Sequence, residues 1–408
     1  MKSDIAKVVH LLFGRYYTEN HLSCDHLRKQ KIKHITFLLD TLGGGGAEKA
    51  MVNLANFISD KNIRIDLVIL NAKGAFMELL SPKIKLFNLK RKRSRSALLE
   101  VVQYLRKEKP QILLSALDHI NILASLGKLF SGFKGALILT VHAPPTATFL
   151  LDRSIYGFLF RALTKWSYKR AQVTVGVSNG IINDICYKFK LNREKFKCIY
   201  NGIITDDIKK MEIEKIKHEW FEDSQVPVVV SVGRLSKEKR FDLLIQAIKE
   251  INTTRVVRLL ILGEGEERNQ LQLLIAQLRL ENLVQLGGFK SNPYPYMKRG
   301  HLFVLASDFE GLGNVLVEAL NLGCRVLSTD CPVGPSEILA DGKFGRLVPR
   351  NDQKALSEAI LDEIKKNEEK SQVFLQLLDK HLCKFRIEKV SNEYLCLFEQ
   401  LLQEQQLS

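Results

Sequence analysis

Short apolar runs recur along almost the whole chain, alternating with stretches whose apolar residues repeat at helical spacing. "HITFLL" precedes "AEKAMVNLANFIS"; "RIDLVIL" and the helical "SALLEVVQYLRKEKP" come next, then "QILLSAL", "ALILTVH" and "VTVGVS". A run that is apolar at every position suits a strand covered on both faces. Parallel strands need a crossover of about a dozen residues or more, and the helical stretches supply it. The chain is therefore read as α/β, with helices on both sides of parallel sheets.

The alternation pauses once. From Asp206 to Gln225 the sequence is charged and holds no strand-like run, after which "VPVVVSVGRL" opens a second series: "RLLILGEG", "LVQLGGF", "LFVLAS", "RVLST" and "GRLVP". Two doubly wound domains follow, residues 31–205 and 206–385. Residues 386–408, with the amphipathic "SNEYLCLFEQLLQEQQLS", are read as a C-terminal helix packing back toward the first domain. Residues 1–30 fit neither series and stand apart as an N-terminal extension.

Composition narrows the class. No run of about 18 uncharged apolar residues occurs, so no membrane-spanning helix is expected. The first residues, interrupted by Asp4, His10 and Arg15, do not read as a secretory signal. Seven scattered cysteines without a C-x-x-C pair fit a reducing cytoplasm and give no zinc site. Charge is uneven: residues 1–200 hold 33 of the 61 Lys and Arg but 14 of the 45 Asp and Glu, so the net +16 arises there. The densest clusters are "KRKRSRS", from Lys90, and "RSIYGFLFRALTKWSYKR", from Arg153. Anionic lipid, a polyanionic acceptor, nucleic acid, or merely solvent could face such stretches.

Ligands of open α/β sheets sit where strands end and helices begin. Three such loops carry unusual chemistry. After the first strand, Gly43 to Gly46 let backbone approach a ligand and offer amides at a helix start, although the spacing matches neither G-x-G-x-x-G nor G-x-x-x-x-G-K-[ST]. In "VVVSVGRLSKEKRFDLLIQAI", Arg234 and Lys239 flank a strand-to-helix loop, where two cations can neutralise a diphosphate. In "SDFEGLGNVLVEALNLG", Glu310 precedes a helix and Glu318 lies roughly 12 Å further along it. Two such carboxylates can hold hydroxyls at the two ends of one elongated ligand, with the amides of Gly311, Leu312, Gly313 and Asn314 meeting charge between them. His142, in "TVHAPP", leaves a strand before two prolines and can donate to a ligand hydroxyl; Asp118 and His119 follow another strand and can approach a ligand.

The order and spacing of "GGGGAE", "LTVHAPP", "VGVSNGI", "IYNGI", "VGRLSKEKRFDLLIQA", "LGEGEER", "LGGF", the E-x7-E stretch and "GPSEIL" resemble the retaining glycosyltransferases of family 4, over roughly residues 34–400. That resemblance implies a GT-B fold of two facing Rossmann-like domains. It implies that Glu310 meets the donor sugar and Glu318 the ribose hydroxyls, and that Arg234 and Lys239 bind the diphosphate. Gly44 and Gly45 then lie between donor phosphate and acceptor, and His142 near the transferring sugar. "GCRVL" departs from the pattern, with Cys324 and Arg325 where many members have a smaller residue and proline.

The expectation is a cytoplasmic, retaining hexosyltransferase, peripheral on the inner face of the cytoplasmic membrane. It uses a nucleotide sugar, UDP-hexose or UDP-N-acetylhexosamine, as substrate, and a glycan or lipid-linked acceptor in surface polysaccharide or lipopolysaccharide assembly. No D-x-D occurs, so no metal is expected, nor any cofactor or nucleic acid partner. An anionic membrane surface is the further candidate partner. The alternatives are a nucleotide-sugar epimerase or hydrolase of the same fold, which needs no acceptor, and a non-catalytic polyanion-binding module.

Overall fold

The computed structural model describes residues 31–145, 154–222, 225–366 and 371–407. The extension at 1–30 lies outside them, as does Arg153 at the head of the second basic stretch.

Two sheets organise the chain. The first contains β1 (His34–Leu39), β2 (Arg64–Ile69), β3 (Lys85–Asn88), β4 (Ile112–Ala116), β5 (Ala136–Val141), β6 (Val173–Gly176) and β7 (Phe196–Cys198), in the order 3-2-1-4-5-6-7. The second contains β8 (Val228–Val232), β9 (Arg258–Leu262), β10 (Val284–Leu286), β11 (Leu302–Leu305), β12 (Val326–Thr329) and β13 (Arg346–Val348), in the order 10-9-8-11-12-13. All these strand pairings are parallel. β1 is buried at every position, as its unbroken apolar run requires.

Strand alternation divides the second sheet between two cores. Val228 and Val230 face the large core that also holds the first sheet, whereas Val229, Leu259, Ile261 and Val304 face a separate one. Fully burying each such side chain contributes about 1.5–3 kcal/mol. The helix Ile387–Leu407 puts Tyr394, Leu397, Phe398 and Leu401 into the large core, against the helix Gly46–Ser59. The return crossing is fixed by backbone: the Ile203 and Ile204 amides donate to the Phe385 carbonyl at 2.9 and 3.0 Å, and the Ile387 amide donates to the Ile204 carbonyl at 3.0 Å. No helix among the described residues is long and apolar enough to cross a membrane.

Strand order reverses between β1 and β4 in one sheet and between β8 and β11 in the other. Crevices open at the carboxyl ends of such strand pairs. The four loops there begin at Asp40, Leu117, Gly233 and Ala306. Leu117 is held at φ 78, ψ 139, a conformation costing a non-glycine residue about 1–3 kcal/mol, so strain is stored at one crevice.

Candidate functional site

The glycine loop ends on Gly45, which gives the helix Gly46–Ser59 no side-chain cap of its own; the Glu48 carboxylate turns back to the backbone of that first turn and lies beside Gly45, so an incoming anion would share the helix start with it. Gly44 sits at φ 106, a region that side-chain-bearing residues avoid. Arg234 lies across from this loop: a Cβ added to Gly45 would be 3.4 Å from its Nη2. The Arg234 guanidinium is exposed and has no hydrogen bond or ion pair with the described residues. Glu48, in the first turn, has its carboxyl raised by burial, an effect reduced by a backbone hydrogen bond and by the charge of Arg234.

In the second sheet, Lys239 and Glu310 are brought together. Lys239 Nζ and Ser307 Oγ both donate to Glu310 Oε1, each at 2.7 Å, so the carboxylate is aimed by two donors. The following loop is stitched to the first sheet. Gly311 packs so tightly on the His142 carbonyl that no Cβ fits, and its own carbonyl accepts from Ser178 Oγ at 2.9 Å. Leu312 is buried, and Gly313 gives the helix Asn314–Asn321 no side-chain cap, so amides are again available. The Asn314 side chain is partly used: Nδ2 donates to the Gly46 carbonyl and Oδ1 accepts from Asn201 Nδ2, both at 3.0 Å. The second Nδ2 proton and the backbone amide of Asn314 remain for an anion.

Glu318 lies on that helix, 3% exposed. Its Oε1 accepts from Lys49 Nζ at 2.6 Å and from the Tyr294 hydroxyl at 3.2 Å, while Lys49 also donates to Tyr294 at 2.8 Å. Burial pulls the Lys49 ammonium down, but Glu318 and Tyr294 together outweigh it and leave the pKa above the ordinary value.

His142 differs from its expected role in one respect. Thr140 Oγ1 donates to the Ser115 carbonyl at 2.9 Å, which commits its single proton. The 2.9 Å contact between Thr140 Oγ1 and His142 Nε2 then has the ring N–H donating. Nδ1 is left as an acceptor, buried and without a partner among the described residues. Burial also lowers the ring pKa to about 4, so it is neutral at physiological pH. The sequence reading gave His142 as a donor; the atom available to a ligand hydroxyl is an acceptor.

Asp118 is tied to Tyr168, whose hydroxyl donates to Oδ1 at 2.7 Å, and burial raises its pKa to about 6. His119 Nε2 instead pairs with Asp40 Oδ2 at 3.2 Å beside the glycine loop. Glu337, from "GPSEIL", accepts from Tyr200 at 2.5 Å and from the Asn179 side chain at 3.0 Å, another bond between the two halves. Lys49, Tyr294, Asn201 and Glu337 were not singled out as site residues by the sequence. Their partners lie more than a hundred positions away, apart from Tyr294 and Glu318, so spacing offers no signal. Among the described residues, no group of three or more His, Cys, Asp or Glu side chains could hold a metal ion.

The fold and site together define a class: two Rossmann-like sheets whose crevices share a cleft lined by helix starts and cations, the GT-B architecture. HepE of Anabaena, in complex with UDP and glucose, aligns over 90% of this chain and 100% of its own, with TM-score 0.73 and 20% identity. The lipopolysaccharide outer core galactosyltransferase WaaB aligns over 88% and 97%, with TM-score 0.64 and 20% identity. Residues 44–207 match the family model Glycosyltransferase Family 4, and residues 212–375 match Glycosyl transferases group 1. The chain belongs to the family 4 glycosyltransferases. It is 29% identical, over 78% of its length and 87% of the relative's, to the N-acetylgalactosamine-N,N'-diacetylbacillosaminyl-diphospho-undecaprenol 4-alpha-N-acetylgalactosaminyltransferase of Campylobacter jejuni. It is 27% identical, over 81% and 87%, to the lipopolysaccharide core biosynthesis glycosyltransferase LpsE of Rhizobium meliloti.

Proposed function

We propose that the chain transfers a hexosyl or N-acetylhexosaminyl unit from a UDP-sugar to a lipid-linked glycan, with retention of configuration and without a metal ion. The observation that carries this reading is Arg234, exposed and with its guanidinium in no hydrogen bond or ion pair among the described residues, opposite the first turn of the helix Gly46–Ser59. Breaking the bond between the anomeric carbon and the diphosphate leaves charge on phosphate, which needs fixed positive groups. Arg234, Lys239 and the amides at Gly44–Gly46 and Gly311–Asn314 supply them. Glu310, aimed by Lys239 and Ser307, meets the sugar, Glu318 meets the ribose, and His142 Nδ1 accepts from a sugar hydroxyl. Attack comes from the face the diphosphate leaves, and the departing phosphate takes the acceptor proton.

The names of the relatives support the acceptor class, since one acts on a diphospho-undecaprenol-linked sugar and another in lipopolysaccharide core synthesis. A lipid-linked acceptor places the reaction at a membrane, here the anionic inner face of the cytoplasmic membrane. The helix Ile155–Arg170 suits that surface: Ile155, Tyr156, Phe158 and Leu159 are exposed, and its charged residues are all cations, Arg161, Lys165, Lys169 and Arg170.

The test is a panel of UDP- and GDP-sugars screened by thermal stabilisation, then assayed for transfer with and without EDTA. UDP-sugars should raise the melting temperature by binding the native state. UDP release should require acceptor, persist in EDTA, and give a product whose anomeric NMR coupling matches the donor. A protein that no nucleotide sugar stabilises refutes the proposal, and UDP release without acceptor marks a hydrolase or epimerase instead.

A further inference from the structure

Lys49, on the helix that follows β1, reaches into the second half of the site. It stands in the first turns of the helix Gly46–Ser59, yet both its side-chain hydrogen bonds go to residues beyond position 290, Tyr294 and Glu318. Glu318 is almost wholly buried, with its side chain 5% exposed, whereas the Lys49 side chain keeps 23%. An ammonium has three protons to donate. Two are accounted for by Glu318 Oε1 and the Tyr294 hydroxyl, which leaves one.

A ribose hydroxyl donates one hydrogen bond and accepts others. A carboxylate alone can satisfy only its donor side. Beside Glu318, the third Lys49 proton satisfies the acceptor side, so the pair presents an acceptor and a donor to a vicinal diol. We propose that Lys49 is a specificity-determining residue that, with Glu318, reads the ribose of the donor nucleotide and so selects ribonucleoside diphosphate sugars over their 2'-deoxy counterparts. This rests on the donor-binding reading of Glu318 given above. A 2'-deoxy donor leaves a charged donor and a charged acceptor short of a partner in a mostly buried place, which costs far more than the missing contact would in water. The nucleoside thereby bridges the two sheets, because one of its readers comes from each.

The probes are UDP and 2'-deoxy-UDP, with binding measured by calorimetry on the wild-type chain and on Lys49→Met. A charge-assisted hydrogen bond predicts that wild type prefers UDP by about tenfold or more. Lys49→Met should lose about tenfold in UDP affinity, hold 2'-deoxy-UDP within about threefold, and so lose the preference. Lys49→Gln, which keeps a neutral donor toward Glu318, carries the same comparison where Lys49→Met does not fold, and its preference should also shrink. Equal binding of both nucleotides by wild type overturns the inference, as does an unchanged preference in the variants. If UDP binds without discrimination, the proposed function stands and only this inference falls. If wild type binds neither nucleotide, both fall.

Discussion

Gly311→Ala isolates the contact that closes the site. Gly311 has no positive φ, so alanine meets no backbone penalty and its effect is purely steric. The new Cβ would lie 2.6 Å from the His142 carbonyl carbon and 3.3 Å from the Ala143 nitrogen, and nearer still to the carbonyl oxygen. Both sides are backbone, so no side chain can swing away. Restoring ordinary contact needs a shift of about 1 Å or more, and a misplacement of that size can cost about a hundredfold in rate. That is about 2.7 kcal/mol of transition-state stabilisation. The same shift breaks the Ser178 to Gly311 hydrogen bond, worth about 1 kcal/mol. With the overpacking, stability should fall by about 1–3 kcal/mol. The assay is kcat/KM for UDP release in the presence of acceptor, with urea unfolding alongside. UDP affinity should change much less than kcat/KM, because the Glu318 end is held by Lys49 and Tyr294. A variant within threefold of wild-type kcat/KM and with unchanged unfolding refutes the closure argument.

Arg234→Ala should lower kcat/KM at least tenfold, about 1.4 kcal/mol, and Glu310→Gln should act mainly on kcat; wild-type rates in the double variant would put the diphosphate elsewhere. Asp118 has a folded pKa raised to about 6 from 3.8, so its stability contribution is full below pH 3.8 and is lost as pH rises through 6. Asp118→Asn should therefore be more stable than wild type at pH 8, by about 1–3 kcal/mol given its partial exposure, and not at pH 3.5; a loss at pH 8 in chemical unfolding counts against the burial argument. The chain should sediment with vesicles containing acidic lipid at low salt, and less so as salt is raised or with Ile155→Ser/Phe158→Ser; if wild type stays in the supernatant, the membrane reading fails.

The sequence disclosed elements with unbroken apolar runs and hid both edge strands of the first sheet. β3 and β7 end the first sheet and have a neighbour on one side only. With less surface to bury, "KLFN" and "FKC" mix charge with apolar residues and do not read as strands. The helix Asp118–Ser131 is likewise obscured by the two strong strand signals that flank it. At the site, Arg234, Lys239, Glu310 and Glu318 were legible because strand ends expose them and their order is distinctive. What one-dimensional spacing could not reveal is that Lys239 ion-pairs Glu310, and that Lys49 reaches Glu318 from the other sheet. The acceptor state of His142 was also hidden, since it follows from the Thr140 proton being committed to Ser115.

The return of the chain at Phe385 to Ile387 sets how the cleft can open. The outgoing segment leaves the first sheet at Ile203 and Ile204, and the incoming one is hydrogen-bonded to those same two residues. Both covalent tethers between the halves thus run through one place, like the paired leaves of a single hinge. A joint of that kind resists twist and sideways slip, which would shear its backbone bonds, but permits a swing about one axis. A rotation about this joint would part Asn314 from Gly46 and Lys49 from Glu318 while Ile204 and Arg386 stayed in register.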